Sequence, residues 1–182
     1  PVMVPDINSS FASFSVENGK IRFGLAAIKN VGRSFIADLV KEREENGLFS
    51  TFLDFCVRMG WETYIYQMLV VDYLILNRDR HGANIEVLRN SRKKTLHLAP
   101  LFDHGLSFLC RCMNDSQVEA FDVMEDKLCN NFIGSRSTWE NLKLIPAEKM
   151  PELNPLRESD REIIMEGLDG IISGTLQDKI WE

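Results

Sequence analysis

Two polar residues five positions apart, Asp79 and Asn84, lie in a loop between an apolar helical segment and a candidate strand. Phosphoryl transfer uses such a pair, because a carboxylate orients and deprotonates the attacking hydroxyl while a neutral oxygen helps to hold magnesium. A second carboxylate is expected after a β-hairpin, and Asp103 follows a predicted hairpin. Such oxygen ligands suit Mg²⁺. The pattern therefore predicts a site for Mg²⁺ beside a nucleotide phosphate.

Two motifs in this region carry a family resemblance. The first is N-x-D-R-H-x-x-N at residues 77–84, and the second is A-P-x-F-D-x-G-x-S at residues 99–107. In this order they resemble HipA-like serine/threonine kinases, whose loops are also similar to those of phosphatidylinositol kinases. The resemblance covers roughly residues 64–146 and extends more weakly towards residue 182.

The kinase resemblance assigns a role to each matching position. It implies that Asp79 is the catalytic base and that His81 stabilises the loop or the transferred phosphate. It implies that Asn84 and Asp103 bind Mg²⁺ and, through it, ATP. The function implied is Mg²⁺- and ATP-dependent phosphorylation of serine or threonine in a protein substrate.

A nucleotide-holding lobe is not recognisable before the apolar segment. Kinases need a glycine-rich loop over the phosphates and a strand lysine that reaches them. The glycines of this stretch are too widely spaced for such a loop, since they are Gly24, Gly32 and Gly47. The lysines of the same stretch lie in no strand of the kind that carries the kinase lysine. We therefore expect transferase activity to be weak or absent unless another chain supplies the missing lobe.

The first 59 residues have a different character. Alternating apolar residues flank Asn18-Gly19, which predicts a small hairpin. Short helical patterns then surround a turn that ends at Gly32, and Asn46-Gly47 is predicted to close the second helix. The segments PDINxS (5–10), IRFGLAAIKNVG (21–32) and FxxFxDFCxR (49–58) resemble the helix-hairpin-helix region of the bacterial DNA polymerase III alpha subunit.

This second resemblance implies a turn that holds a DNA phosphate with backbone N–H groups and the N-terminus of the next helix. The candidate phosphate-binding residues are Lys29, Asn30, Val31, Gly32 and Arg33. Asn30 stands where the family has a glycine, and asparagine tolerates positive φ. The alternative is a pair of packed helices that binds no DNA, because the acidic run at 42–45 lies close by in sequence.

Composition limits the remaining classes. The chain of 182 residues has a net charge of −6, which disfavours extensive wrapping of nucleic acid but allows a local basic patch. The apolar run at 68–76 is interrupted by Asp72 and is too short to cross a bilayer. We predict a soluble protein of the bacterial cytoplasm with no membrane partner, and with the thiols of Cys56, Cys110, Cys112 and Cys129 reduced.

The predicted fold is α+β and mainly helical. It places a helix-hairpin-helix segment at 1–59 and a kinase-like lobe at 60–182, with one short β-hairpin between the catalytic loops and helices at 158–167 and 168–181. Because the two resemblances belong to different families, we interpret the chain as a composite. A natural fusion, a fragment and an artificially joined sequence all stay open as its origin.

Three functions are compatible with this organisation. The first is a kinase-like phosphotransferase fragment, and the second is a DNA-binding module that grips the backbone without reading sequence. The third is a composite with no evolved function, in which an exposed lobe surface leads to self-association.

Overall fold

The computed structural model describes residues 1–29, 31–90, 92–93 and 95–182, which pack into two compact units. The first unit comprises Pro1–Ile65 and Ile85–Leu101, and the second comprises Tyr66–Asn84 and Phe102–Glu182. The domain boundary predicted between residues 59 and 60 rests on the two family resemblances and stays a prediction. Packing places the segment Ile85–Leu101 with the first unit.

Both helices and strands are present in the described residues, and most are short. The helices are α1 (Arg33–Asn46), α2 (Phe52–Arg58), α3 (Glu62–Leu74), α4 (Asp115–Glu119), α5 (Thr138–Leu142), α6 (Glu158–Ile164) and α7 (Gly174–Trp181). The strands are β1 (Val2–Met3), β2 (Ser15–Glu17), β3 (Lys20–Arg22), β4 (Asp79–Arg80), β5 (Val87–Asn90), β6 (Thr95–Leu98) and β7 (Asn130–Asn131). Short 3₁₀ helices cover Leu25–Ala27, Gly82–Asn84 and Ala147–Lys149. The predicted α+β class is confirmed.

A three-stranded sheet begins the first unit. Strand β3 lies in the middle, parallel to β1 and antiparallel to β2. Between β2 and β3, Asn18 and Gly19 have φ values of 50° and 72°, as a tight hairpin turn requires. The hairpin predicted at Asn18-Gly19 is therefore confirmed.

Aromatic side chains join the helices of the first unit. The ring of Phe35 on α1 stacks on Trp61 with centroids 5.7 Å apart, and Phe55 on α2 meets the same indole edge-on at 5.6 Å. Ile36 and Leu39 on α1 are buried. Such aromatic pairs stabilise a core beyond the area that they bury, so α1 is held firmly with its N-terminus at a defined place.

The first helix of the predicted pair is shorter than the sequence pattern indicated. It is one 3₁₀ turn, in which the Ile28 N–H bonds to the Leu25 carbonyl, and Ile28 itself is extended at φ −76° and ψ 126°. Helix α1 follows and ends at Gly47, whose φ of 84° confirms the predicted termination. After Ile28 the chain turns, with the Val31 N–H bonded to the Ile28 carbonyl at 3.3 Å, and α1 begins at Arg33.

The hairpin predicted between the catalytic loops is present as β5 and β6. Its register pairs Val87 with Leu98 and Asn90 with Thr95. The sequence pattern predicts the first strand at 85–88, whereas it begins at Val87, and Glu86 before it bonds through its carbonyl to the Ala99 N–H.

Short helices and irregular segments build the second unit, where β4 pairs in parallel with β7. Helix α7 begins at Gly174 and not at Leu168 as predicted. Gly167 and Gly170 have positive φ values of 78° and 75°, which interrupt the helix, and the Ser173 hydroxyl then caps α7 by accepting from the Leu176 N–H. Within the described residues, no helix has the length and apolar character needed to cross a membrane.

Candidate functional site

The turn predicted to bind phosphate leads directly into α1. Gly32 is the N-cap of this 14-residue helix and Arg33 is its first residue. No side chain of a described residue caps this end, so its first backbone N–H groups are available to an anion, which the helix dipole favours there. Lys29 is exposed and Val31 is half-buried. The remaining candidate, Asn30, lies outside the described residues.

An arginine that the sequence did not single out lies at the same turn. Three atoms of the Arg89 guanidinium group on β5 lie 3.9 Å from the position that a Cβ on Gly32 would occupy. Arg92 and Lys93 follow in the hairpin turn, where their N–H groups bond to the Asn90 side chain at 3.1 and 3.0 Å. The only sequence signal was the basic run at 89–94, of which residues 90–94 are predicted as a polar turn.

The basic side chains of this turn and of the β5–β6 hairpin that carries Arg89 have no acidic partner within the described part of the chain. This group comprises Lys29, Arg33, Arg89, Arg92 and Lys93, and no ion pair joins any of them to a described residue. We call it the basic turn cluster. Its positive charge is therefore available to an external anion.

The acidic run at 42–45 is separated from the basic turn cluster by the length of α1. Glu42 lies about 14 Å along the helix axis from Arg33 at the usual rise per residue. Glu42 also pairs with Arg58 at 3.0 Å, and Glu45 lies 3.9 Å from Lys41. The acidic residues that favoured the alternative of packed helices without DNA are therefore distant from the basic turn cluster. Basic side chains on the same unit partly neutralise them.

In the second unit, the predicted catalytic residues form one hydrogen-bonded loop. The Asn84 side chain donates to the Asp79 carbonyl at 3.0 Å, and the Asn130 side chain donates to Asp79 Oδ1 at 2.9 Å. His81 Nε2 lies 3.8 Å from Asp79 Oδ2. Because His81 Nδ1 accepts from the Ala83 N–H at 3.2 Å, the proton of the neutral ring is on Nε2 and faces Asp79.

A buried arginine connects this loop with the segment that contains Asp103. Arg80 forms a two-pronged pair with Asp72, at 2.9 and 2.7 Å. Its Nη1 also donates to the carbonyls of Asn84 at 3.1 Å and Phe102 at 2.9 Å. Asp103 follows Phe102, is exposed and has a φ of 56°, which aspartate tolerates. Asn84 and Asp103 therefore lie on segments that share one guanidinium group.

The ligand chemistry of these two residues fits Mg²⁺. Asn84 uses its amide N–H₂ for Asp79, which leaves Oδ1 as an acceptor, and Asp103 contributes a carboxylate. Mg²⁺ commonly takes one or two protein oxygens and keeps water and phosphate as its other ligands. Among the described residues, no group of three or more His, Cys, Asp or Glu side chains forms a larger metal site.

Comparison with known proteins finds a match for the N-terminal segment. Residues 1–70 match the family described as "Helix-hairpin-helix motif". The helix-hairpin-helix part of the sequence interpretation is therefore supported, whereas the kinase resemblance of residues 64–146 stays a prediction.

The relatives found are DNA polymerase III alpha subunits. The chain is 46% identical to the subunit of Deinococcus radiodurans over 59 residues, which are 32% of this chain and 4% of the relative. It is 39% identical to that of Saccharopolyspora erythraea over 74 residues, 41% of this chain and 6% of the relative. For Bacillus subtilis the identity is 36% over 101 residues, 56% of this chain and 9% of the relative. The chain thus spans less than a tenth of these relatives, and no solved structure matches it.

Proposed function

We propose that this chain binds double-stranded DNA without sequence preference, through the turn between Lys29 and Arg33. The match of residues 1–70 to the helix-hairpin-helix family carries this proposal. The relatives' identity as DNA polymerase subunits supports it, since a replicative polymerase must hold duplex DNA of any sequence.

The chemistry of the turn is suited to the sugar-phosphate backbone. The uncapped N-terminus of α1 offers N–H donors to a phosphate oxygen, and the Lys29, Arg33 and Arg89 side chains supply positive charge around it. Phosphate contacts fix the position of a protein on DNA but do not read bases. Each neutralised phosphate releases counterions, so binding should weaken steeply with salt.

The proposal is tested by fluorescence anisotropy of a labelled duplex across a salt series. In the Lys29→Gln/Arg33→Gln variant, the slope of log K against log salt should fall in magnitude by about 2, because each lost phosphate contact contributes about 0.9. Arg89→Gln should lower it by about 1. A matched double variant, Lys20→Gln/Lys41→Gln, removes the same charge from exposed positions in the first unit and should leave the slope within about 0.3 of wild type. Equal slopes in all variants would refute the assignment of the turn.

We infer a second candidate function for the second unit, phosphoryl transfer from Mg²⁺-ATP to a hydroxyl of a protein substrate. The observation that favours it is the Arg80 guanidinium group, which bonds the backbone beside both proposed metal ligands. Bound Mg²⁺ would neutralise phosphate charge. Asp79 would accept the hydroxyl proton, and His81 would orient the Asp79 carboxylate.

Calorimetric titration with ATP separates these roles. Asp103→Asn should abolish Mg²⁺-dependent ATP binding, whereas Asp79→Asn should bind ATP normally and lose any transfer of phosphate to a protein substrate such as casein. Equal loss of ATP binding in both variants, with the fold intact by circular dichroism, would count against the assigned roles.

A further inference from the structure

An open cleft of about 500 Å³ lies beside Asp79 in the second unit. Its lining includes three arginines from separate segments, Arg78, Arg111 and Arg136, and Asp79 is the one acid among the lining residues. The cleft has the size of a small-molecule site. Its charged lining carries two more positive charges than negative charges, which matches a doubly charged anion.

Arg78 is fixed in place by its backbone. Its N–H donates to the Leu106 carbonyl at 3.1 Å, and its carbonyl accepts from the Asn130 N–H at 2.8 Å. The guanidinium carbon lies 5.5 Å from the centroid of the Phe121 ring. These bonds hold the backbone at Arg78, and the Phe121 ring lies beside its guanidinium group.

The buried donors of Arg78 have no acceptor among the described residues. Its Nε and Nη2 atoms are shielded from solvent and form no hydrogen bond there. A buried donor without a partner is unfavourable, more so when it is charged, and native structures leave few of them. These two atoms are shielded from the cleft, so an anion bound there accepts hydrogen bonds from them once the guanidinium group turns towards it.

The other two arginines are exposed and unpaired within the described residues. Arg136 lies at the end of an ordered loop, since its carbonyl accepts from the Cys129 N–H at 2.8 Å. The Asn131 side chain organises the same loop by accepting from the N–H groups of Ile133 and Gly134. The loop therefore presents Arg136 to the cleft from a defined backbone.

We propose that this cleft binds the phosphate group of a small phosphate monoester. Arg78, Arg111 and Arg136 surround the phosphate oxygens, which suit the planar donor fork of arginine. Asp79 would repel the phosphate itself but can accept a hydrogen bond from a hydroxyl of the same molecule. The ligand class is therefore a phosphorylated compound that also carries a free hydroxyl. This inference does not depend on DNA binding by the first unit.

Titration calorimetry with inorganic phosphate and glycerol 3-phosphate tests the site in the whole chain. Wild type should bind both with a Kd below about 10 mM. Arg111→Gln and Arg136→Gln, which change exposed side chains, should each weaken binding about tenfold, a loss of about 1.4 kcal/mol. Lys143→Gln removes an exposed charge from the same unit and should leave both affinities unchanged. Asp79→Asn should weaken glycerol 3-phosphate relative to inorganic phosphate.

The outcomes separate this site from its alternatives. Absence of phosphate binding by the wild-type chain, or equal weakening by Lys143→Gln, would overturn the proposal. Displacement of glycerol 3-phosphate by a DNA duplex, with the same dependence on Arg111 and Arg136, would overturn the assignment to a small molecule.

Discussion

The four thiols lie in two kinds of surroundings, and all four are free. Cys56 is fully buried, and burial raises the pKa of its thiol to about 12. Burial also raises the pKa of Cys129. Cys110 is exposed, and Cys112 is half-buried. The reduced state of these thiols stays a prediction.

Thiol labelling should follow that division, because the thiolate is the reactive form. At pH 8, a disulfide reagent should modify Cys110 and Cys112 rapidly in the native chain, and Cys56 and Cys129 only after denaturation. Peptide mass spectrometry would identify the modified positions. Rapid modification of Cys56 under native conditions would contradict its buried placement.

Asp126 holds the start of α5 in place. Its carboxylate accepts from the Ser137 hydroxyl at 2.6 Å, from the Trp139 N–H at 3.0 Å and from the Thr138 hydroxyl at 2.9 Å. These bonds, that from Ser137 foremost, hold the pKa of Asp126 below its usual value. A carboxyl group with a lowered pKa stabilises the fold above the ordinary pKa of about 4, and this contribution is lost as the pH falls through the folded value.

Asp126→Asn should therefore destabilise the protein at neutral pH by on the order of 1 kcal/mol. The difference from wild type should shrink below about pH 4 and vanish in stronger acid. Denaturant unfolding at several pH values measures this. A difference that stays constant between neutral and acidic pH would show that the charge of Asp126 is not responsible.

Among the elements, the segment from α3 to β4 depends on the buried pair of Arg80 and Asp72. Their side chains are 1% and 7% exposed, so removal of one partner leaves the other charge without compensation. Arg80→Leu should cost about 3–5 kcal/mol, and Arg80→Leu/Asp72→Leu should recover part of that loss. Lys143→Gln, which breaks an exposed pair with Glu140, should cost less than about 1 kcal/mol. A similar small effect for Arg80→Leu would refute the structural role of the pair.

Local sequence signals predicted several elements because their physics is local. Asn18-Gly19 supplies the positive φ that a tight turn needs, and Gly47 ends α1 for the same reason. Gly170 and Ser173 were equally local signals for a break and a new cap, but the prediction of one helix over 168–181 did not use them. Element boundaries at such positions depend on single backbone conformations.

Contacts between distant segments could not be predicted in this way. Arg89 lies 57 positions after Gly32, and only the packing of the β5–β6 hairpin brings its guanidinium group to that turn. Arg78, Arg111 and Arg136 converge on one cleft from equally separate segments. Charged side chains without periodic spacing carry no signal of a shared location until the backbone is known.

At the scale of the whole molecule, charge distribution is more informative than total charge. The net charge of −6 opposes long-range attraction of DNA, whereas the basic turn cluster can act within the Debye length of about 10 Å in 0.1 M salt. DNA binding should therefore be weak at moderate ionic strength and limited to short-range phosphate contacts.

The affinity of the intact chain for two duplexes of unrelated sequence, measured across a salt series, tests DNA binding most directly. We expect equal affinities within about threefold and a log–log salt slope of about −3 to −5, because the basic turn cluster has five positive side chains. No binding in low salt, a slope near zero, or a preference of about a hundredfold for one sequence would contradict backbone recognition by the helix-hairpin-helix segment.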